Sequence, residues 1–72
     1  MTEPPRYRFT VRQRQVLKLV GAGKKNDAIA AELKISPRTV EAHIAALAMR
    51  IGYPHLPARS AVLQFFHERG VA

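Results

Sequence analysis

The sequence predicts an all-α protein, a four-helix bundle with a helix-turn-helix at its centre. Three observations lead there. Residues 35–52, ISPRTVEAHIAALAMRIG, read as one helix with a marked start, one apolar arc and one free face. A shorter helical segment precedes it across the link Lys34-Ile35-Ser36, which is the helix-turn-helix pattern. The length of 72 residues allows a single domain with a small core, and stability of a few kcal/mol is expected at that size.

Residues 1–8 are read as a flexible arm, short, polar and with a Pro pair, ahead of a domain over 9–72. Arg6 and Arg8 flank Tyr7 there, where a solvated tail is favoured over a phosphate contact. The first helix is expected over 11–22. Thr10 is its cap, and Gln13 stands where its side chain can reach back to complete a capping box. Phe9, Val16, Leu17 and Val20 form the buried side; Arg12, Arg14 and Lys18 are exposed. Gly21 and Gly23 end the helix, Gly23 fitting the left-handed position better.

The second helix is expected over Asn26–Leu33, with Ala28, Ile29, Ala30 and Leu33 as its apolar residues. Ala30 and Ala31 are small enough for a neighbouring helix to approach closely. Lys24 and Lys25 stand just ahead. Positive charge beside a helix N-terminus is unfavourable by a few tenths of a kcal/mol. It makes sense if an anion such as phosphate binds there; a basic loop without a ligand reads equally well.

Ser36 is a good cap for the third helix. Pro37 then occupies the first helical position, where a missing N–H costs nothing. Ile35 and Val40 can close a hydrophobic staple, and Gly52 suits the far end. The loop 53–57, YPHLP, has two prolines and cannot be helical throughout. The fourth helix follows over Ala58–Arg69, stopped by Gly70. Ala61, Val62 and Phe65 share one face. Leu63 and Phe66 lie to its side, an apolar excess that suggests a protein contact unless wrapping onto the first helix absorbs it.

Formal net charge is +7 and the pI is near 10.9. A small domain this basic most plausibly meets a polyanion. No helix has the wide, bulky apolar face of a membrane-surface helix, and no apolar run approaches the ~18 residues of a membrane span. The absence of cysteine excludes disulfides and thiolate metal sites. The start lacks the apolar core of a signal peptide. The protein is therefore read as cytoplasmic, with no membrane partner.

At roughly 100° per residue, Val40, Ile44, Leu47 and Ile51 of the third helix fall in a narrow arc facing the core. The opposite arc holds Arg38, Glu41, Ala42, Ala45 and Met49, a mixed and small-sided face. Between them runs a flank of Thr39, His43, Ala46 and Arg50, all but Ala46 able to donate hydrogen bonds. A helix with these three faces fits a DNA major groove.

These residues carry a resemblance to a known family. From Phe9 to about Phe66 the chain resembles the LuxR-type, or GerE-like, DNA-binding domain, a tetrahelical module. The matching pieces are Phe9-Thr10-x-Arg12, Val16-Leu17-x-Leu19, Gly23, Asn26, Ile29-Ala30, Leu33, Ile35-Ser36, Thr39-Val40, His43, Leu47, Arg50-Ile51-Gly52 and Ala61-Val62. The segment IAAELKISPRTVEAHIAAL joined to RIG is the most specific part. The resemblance implies sequence-specific binding of duplex DNA in bacterial transcription control, often as a homodimer, with the third helix over about 37–51 in the major groove. It implies that Thr39 donates to phosphate, with Asn26, His43 and Arg50 at or near the backbone; Lys25, at the start of the second helix, is placed with them. Base edges fall to Glu41, Ala42 and Ala45, with Arg38 near the groove's mouth. Leu63 and Phe66 would make the dimer contact. RNA polymerase or a regulatory protein is a further candidate partner, and no cofactor is implied.

The departures from the family pattern are specific. Glu41 stands where Lys or Arg is usual, and Asp27 where Lys is frequent. Glu41 must then point at a base, such as cytosine through its N4, or pair with Arg38 along the helix. Gln13 replaces the usual Glu. The loop before the fourth helix is about two residues longer than usual, and its Arg has no clear equivalent, Arg59 being a shifted substitute. Most members carry a sensor or receiver domain ahead of this module. The chain is thus a piece of a longer protein or a short regulator controlled by its abundance or a partner, and the MTEPP start favours the second.

Other function classes fit less well. His43, His55 and His67 have no close helical spacing for a metal and sit in no acid–base or nucleophile constellation. An enzyme is not expected. A sigma-factor region 4 shares the helix-turn-helix and an RQRQVL-like first helix, but His43 and a helix continuing after Gly52 favour the LuxR type. A protein-interaction module would need bulky anchors on the free face, where Ala42 and Ala45 stand instead.

Overall fold

A computed structural model describes residues 8–70 as four helices: α1 (Val11–Gly21), α2 (Asn26–Leu33), α3 (Pro37–Ile51) and α4 (Ala58–Arg69). The arm expected over 1–8 lies, apart from Arg8, outside the described residues. No helix among the described residues is long and apolar enough to cross a membrane.

Local chemistry sets each boundary. Thr10 Oγ1 accepts from the Gln13 amide at 3.0 Å, and Gln13 Oε1 accepts from the Thr10 amide at 3.0 Å, so the expected capping box closes. Gly23 takes the left-handed position, φ +85°, and its amide donates to the Val20 carbonyl at 2.9 Å. Ser36 Oγ accepts from the Thr39 amide at 3.0 Å, and Gly52, φ +79°, closes α3. Between α2 and α3 the bend falls on Lys34, which adopts φ 60°. Left-handed geometry costs a non-glycine residue about 1–2 kcal/mol. It is held because the Lys34 and Ile35 amides both donate to the Ala30 carbonyl, closing the end of α2.

α3 is the hub. It packs against each of the other three helices, while α2 and α4 do not pack on one another. Val40, Ile44, Leu47 and Ile51 are all buried, as are Val16, Leu17 and Val20 of α1, Ile29 and Ala30 of α2, and Ala61, Val62 and Phe65 of α4. Phe9 meets Phe65 edge-on at 5.6 Å between ring centroids, joining the start of α1 to α4. Among the described residues no polar or charged side chain is buried. Each fully buried aliphatic side chain contributes about 1.5–3 kcal/mol. Ala28 and Ala31 are exposed, so the apolar side of α2 is narrower than its composition suggests.

The end of α1 differs from expectation for a steric reason. Gly21 remains helical, and Ala22 is the C-cap. A Cβ at Gly21 would collide with the Phe66 ring, which sits directly on the glycine. Phe66 is thus half-buried against α1, and that contact takes up part of the apolar excess on α4.

Two polar ties secure the edges. The Tyr53 hydroxyl donates to Glu68 Oε1, and Gln64 Nε2 donates to Glu68 Oε2 at 3.1 Å, fastening the YPHLP loop to the end of α4. The Tyr53 hydrogen bond first, then that of Gln64, holds the Glu68 carboxyl below its ordinary range. On the other side, Arg59 of α4 reaches α2. Its Nη1 donates to Asn26 Oδ1 at 2.8 Å and its Nη2 to the Lys24 carbonyl. This half-buried guanidinium spans two helices that otherwise have no packing in common.

Alanine normally exceeds glycine by about 1 kcal/mol inside a helix. Gly21→Ala should do the reverse here and cost about 1–3 kcal/mol through overpacking, read as a lowered thermal midpoint; the added change Phe66→Leu should recover part of it. A stabilised Gly21→Ala protein would show that Phe66 is not seated there. Arg59→Ala should cost on the order of 1 kcal/mol and speed amide exchange across the first turn of α2 more than in α1. Uniform exchange changes would count against the tie.

Candidate nucleic-acid interface

The surface of α3 opposite its buried arc is the part of the molecule with unassigned chemistry. Arg38, Glu41, Ala42 and Ala45 are all exposed, and Met49 extends the row with 85% of its surface accessible. They lie on one face because the other face is pinned by Val40, Ile44, Leu47 and Ile51. Arg38 and Glu41 do not pair, and neither has an ion pair among the described residues. Of the two fates open to Glu41, pairing along the helix is therefore the one not adopted. Past Ala45, an apolar hollow of about 440 Å³ opens beside Met49, Tyr53 and Leu56.

The flank is built as the periodicity requires. Thr39 and Arg50 are exposed, His43 and Ala46 half-buried. Thr39 Oγ1 lies 2.9 Å from Ser36 Oγ, and either hydroxyl can donate. Ser36 Oγ already accepts from the Thr39 amide. With Ser36 donating to Thr39, the cap uses both capacities of Ser36 and leaves the Thr39 proton directed elsewhere. The cap that starts the helix thus also touches the flank's first hydroxyl.

At the start of α2 the two lysines behave differently. Lys24 Nζ lies 3.7 Å from Glu32 Oε1, an exposed pair that adds little stability. Lys25 is the exposed N-cap residue, makes no side-chain cap and has no ion pair among the described residues. Asp27 Oδ1 accepts from the Ala28 amide at 3.1 Å, so its carboxylate occupies one of the free N–H groups of the first turn. Asn26 is half-buried with its carbonyl oxygen committed to Arg59. Its amide N–H groups remain as donors, since Oδ1 and Nδ2 are distinct functions.

Arg59, expected as a shifted substitute for the family's loop arginine, ties Asn26 and the α1–α2 loop to α4. Residues so far apart in the chain carry no local signal of such a contact. On α4, Leu63 is half-buried and borders an open hollow of about 400 Å³ with Ser60, Gln64 and His67. Leu63 and Phe66 therefore differ in setting: Phe66 packs on Gly21, while Leu63 lies at the edge of that hollow.

No curated protein and no solved structure matches the chain. The sequence profile of the GerE family, described as bacterial regulatory proteins of the luxR family, matches residues 8–61. That span takes in α1, α2, α3 and the first turn of α4, and so the helix-turn-helix and all of the α3 surface just described. The chain belongs to the LuxR (GerE) family of bacterial regulatory proteins, whose helix-turn-helix domain serves DNA binding in transcription regulation.

Proposed function

We propose that this protein binds duplex DNA sequence-specifically, as a homodimer, with α3 lying in the major groove. The observation that carries the reading is the division of α3: one arc buried against three helices, the opposite arc small-sided and without an ion pair among the described residues, and donors along the flank. Ala42 and Ala45 let the helix axis approach base edges closely. Glu41 accepts from cytosine N4, and Arg38 reaches the groove's mouth. A good base contact discriminates against the wrong base by about 1–3 kcal/mol.

Lys25, Asn26, Thr39, His43 and Arg50 hold the backbone. Phosphate contacts fix register and orientation and carry no sequence information of their own. Leu63 forms the centre of the contact between two copies, with Phe66 supporting it from its seat on α1. The sigma-factor alternative keeps the DNA contact but not the match over residues 8–61. The protein-interaction alternative lacks large apolar anchors at Glu41, Ala42 and Ala45, although Met49 is such a residue one turn further on.

Binding measured across salt concentrations should fall steeply, with Arg50→Ala reducing the log–log slope by about 0.9 and weakening all duplexes alike. Glu41→Ala should instead change which site wins a competition among randomised duplexes. A flat salt response would remove the electrostatic basis, and an unchanged preference would remove Glu41 from the base-reading set. Leu63→Asp should halve the stoichiometry on a two-half-site duplex in sedimentation, since it places a charge at the proposed contact without disturbing the Phe66–Gly21 seat. An unaltered complex would place the dimer contact elsewhere.

A further inference from the structure

Arg8, Arg14 and Arg50 line a single open concavity of about 370 Å³, together with Phe9 and Thr10. They come from three parts of the chain: the segment before the first cap, the first turns of α1, and the end of α3. Each is positioned by a neighbour that the fold fixes. Arg8 precedes Phe9, whose ring is locked edge-on to Phe65. Arg14 follows the Thr10–Gln13 capping box, its amide donating to the Thr10 carbonyl at 3.0 Å. Arg50 precedes the buried Ile51 and the stop at Gly52.

Among the described residues no Asp or Glu lines this concavity, and none of the three arginine side chains has an ion pair or hydrogen bond. Three guanidinium groups around one hollow, with no carboxylate among the described residues to relieve their repulsion, make a place for an anion with several oxygens. Guanidinium forks match phosphate oxygens two at a time, which a single ammonium does not. The hollow is also continuous with the flank of α3, because Arg50 belongs to both. From Thr39 to Arg50 the flank runs about 16 Å at 1.5 Å per residue. A major groove is about 12 Å wide, so the two ends of the flank are far enough apart to meet phosphates on both borders of one groove.

We propose that Arg8, Arg14 and Arg50 form a phosphate cleft, which takes a backbone phosphate of the duplex beyond the C-terminal end of α3. The assignment of DNA as the source rests on the function proposed above; the cleft's preference for a phosphate group rests on its own lining. Arg8 and Arg14 thereby join the DNA-contacting set, extending it from α2 and α3 onto α1 and the segment before it.

The variants are Arg8→Gln, Arg14→Gln and the pair together. All replace exposed side chains, and glutamine is a good helix former at Arg14. On a duplex, the double variant should lower the log–log salt slope by about 0.9, equally for preferred and unrelated sequences. In parallel, the DNA-free protein is titrated with inorganic pyrophosphate while the arginine side-chain NMR signals are followed. A lowered slope establishes the cleft as a DNA contact. An unchanged slope, with Arg signals that move in the parent and not in the double variant, overturns the DNA source and assigns the cleft to a free phosphate anion. Neither response overturns the site. If the parent shows no salt-dependent duplex binding, the groove reading of α3 fails, and the pyrophosphate titration decides the cleft by itself.

Discussion

The structure depends on one constraint: the narrow apolar arc of α3 must be covered on every side. Val40, Ile44, Leu47 and Ile51 are buried because α1, α2 and α4 each press on the same helix. α2 has little else to pack on, so its position is set by the turn into α3 and by Arg59. α4 closes the far side through Phe65, which also receives Phe9 from the start of α1. In a chain this short there is no second core to hold α3 if one wall moves. The helix is thereby prevented from rotating about its axis, and its outer face is fixed by the same packing that hides its inner one.

Two unfavourable local features make sense in that light. Lys34 accepts a left-handed backbone where glycine would be easier, and the three-residue turn it creates sets the angle between α2 and α3. Arg59 gives up a solvated guanidinium to hold Asn26 and the Lys24 carbonyl. Both act on the start of α2 relative to α3. On the proposed reading these two helix starts touch the same DNA backbone through Lys25, Asn26 and Thr39. An interface assembled from two helices needs their relative placement held within a fraction of an ångström, and a charge-assisted tie between helices that do not pack together supplies it.

Much of this was legible in the sequence wherever the cause is local. Thr10 with Gln13 and Ser36 with Pro37 announce helix starts because a cap's chemistry is confined to one turn. The three faces of α3 follow from its periodicity, and the structure buries or exposes its residues accordingly. What stayed hidden depends on distant partners. Gly21 reads as a helix stop, since a glycine needed for a left-handed turn and one needed for a close ring contact look alike in sequence. Ala28 counts among the apolar residues of α2 and yet is exposed, because alanine suits a helix surface as well as its interior. Nothing near Arg59 points to Asn26, and nothing near Arg8 points to Arg50. The roles of the individual side chains on DNA belong to this second class, since the partner that would define them is another molecule.

Glu41 shows how the charge of the surface is organised. A carboxylate on the outer face of a basic domain opposes approach to phosphate, and its exposure with no ion pair among the described residues leaves that opposition uncompensated by them. Several cations stand at the ends of α3 instead: Arg38 in its first turn, and Arg8, Arg14 and Arg50 around its end. On the proposed reading, attraction to the backbone and discrimination among bases are carried by different residues. The phosphate-holding arginines at the end of α3 would then draw any duplex, because phosphate contacts are blind to sequence. In the proposed base-reading role, Glu41 would penalise every site that fails to offer it a donor, which is specificity gained by repulsion as well as by attraction. A lysine at the same position would strengthen binding everywhere and so discriminate less.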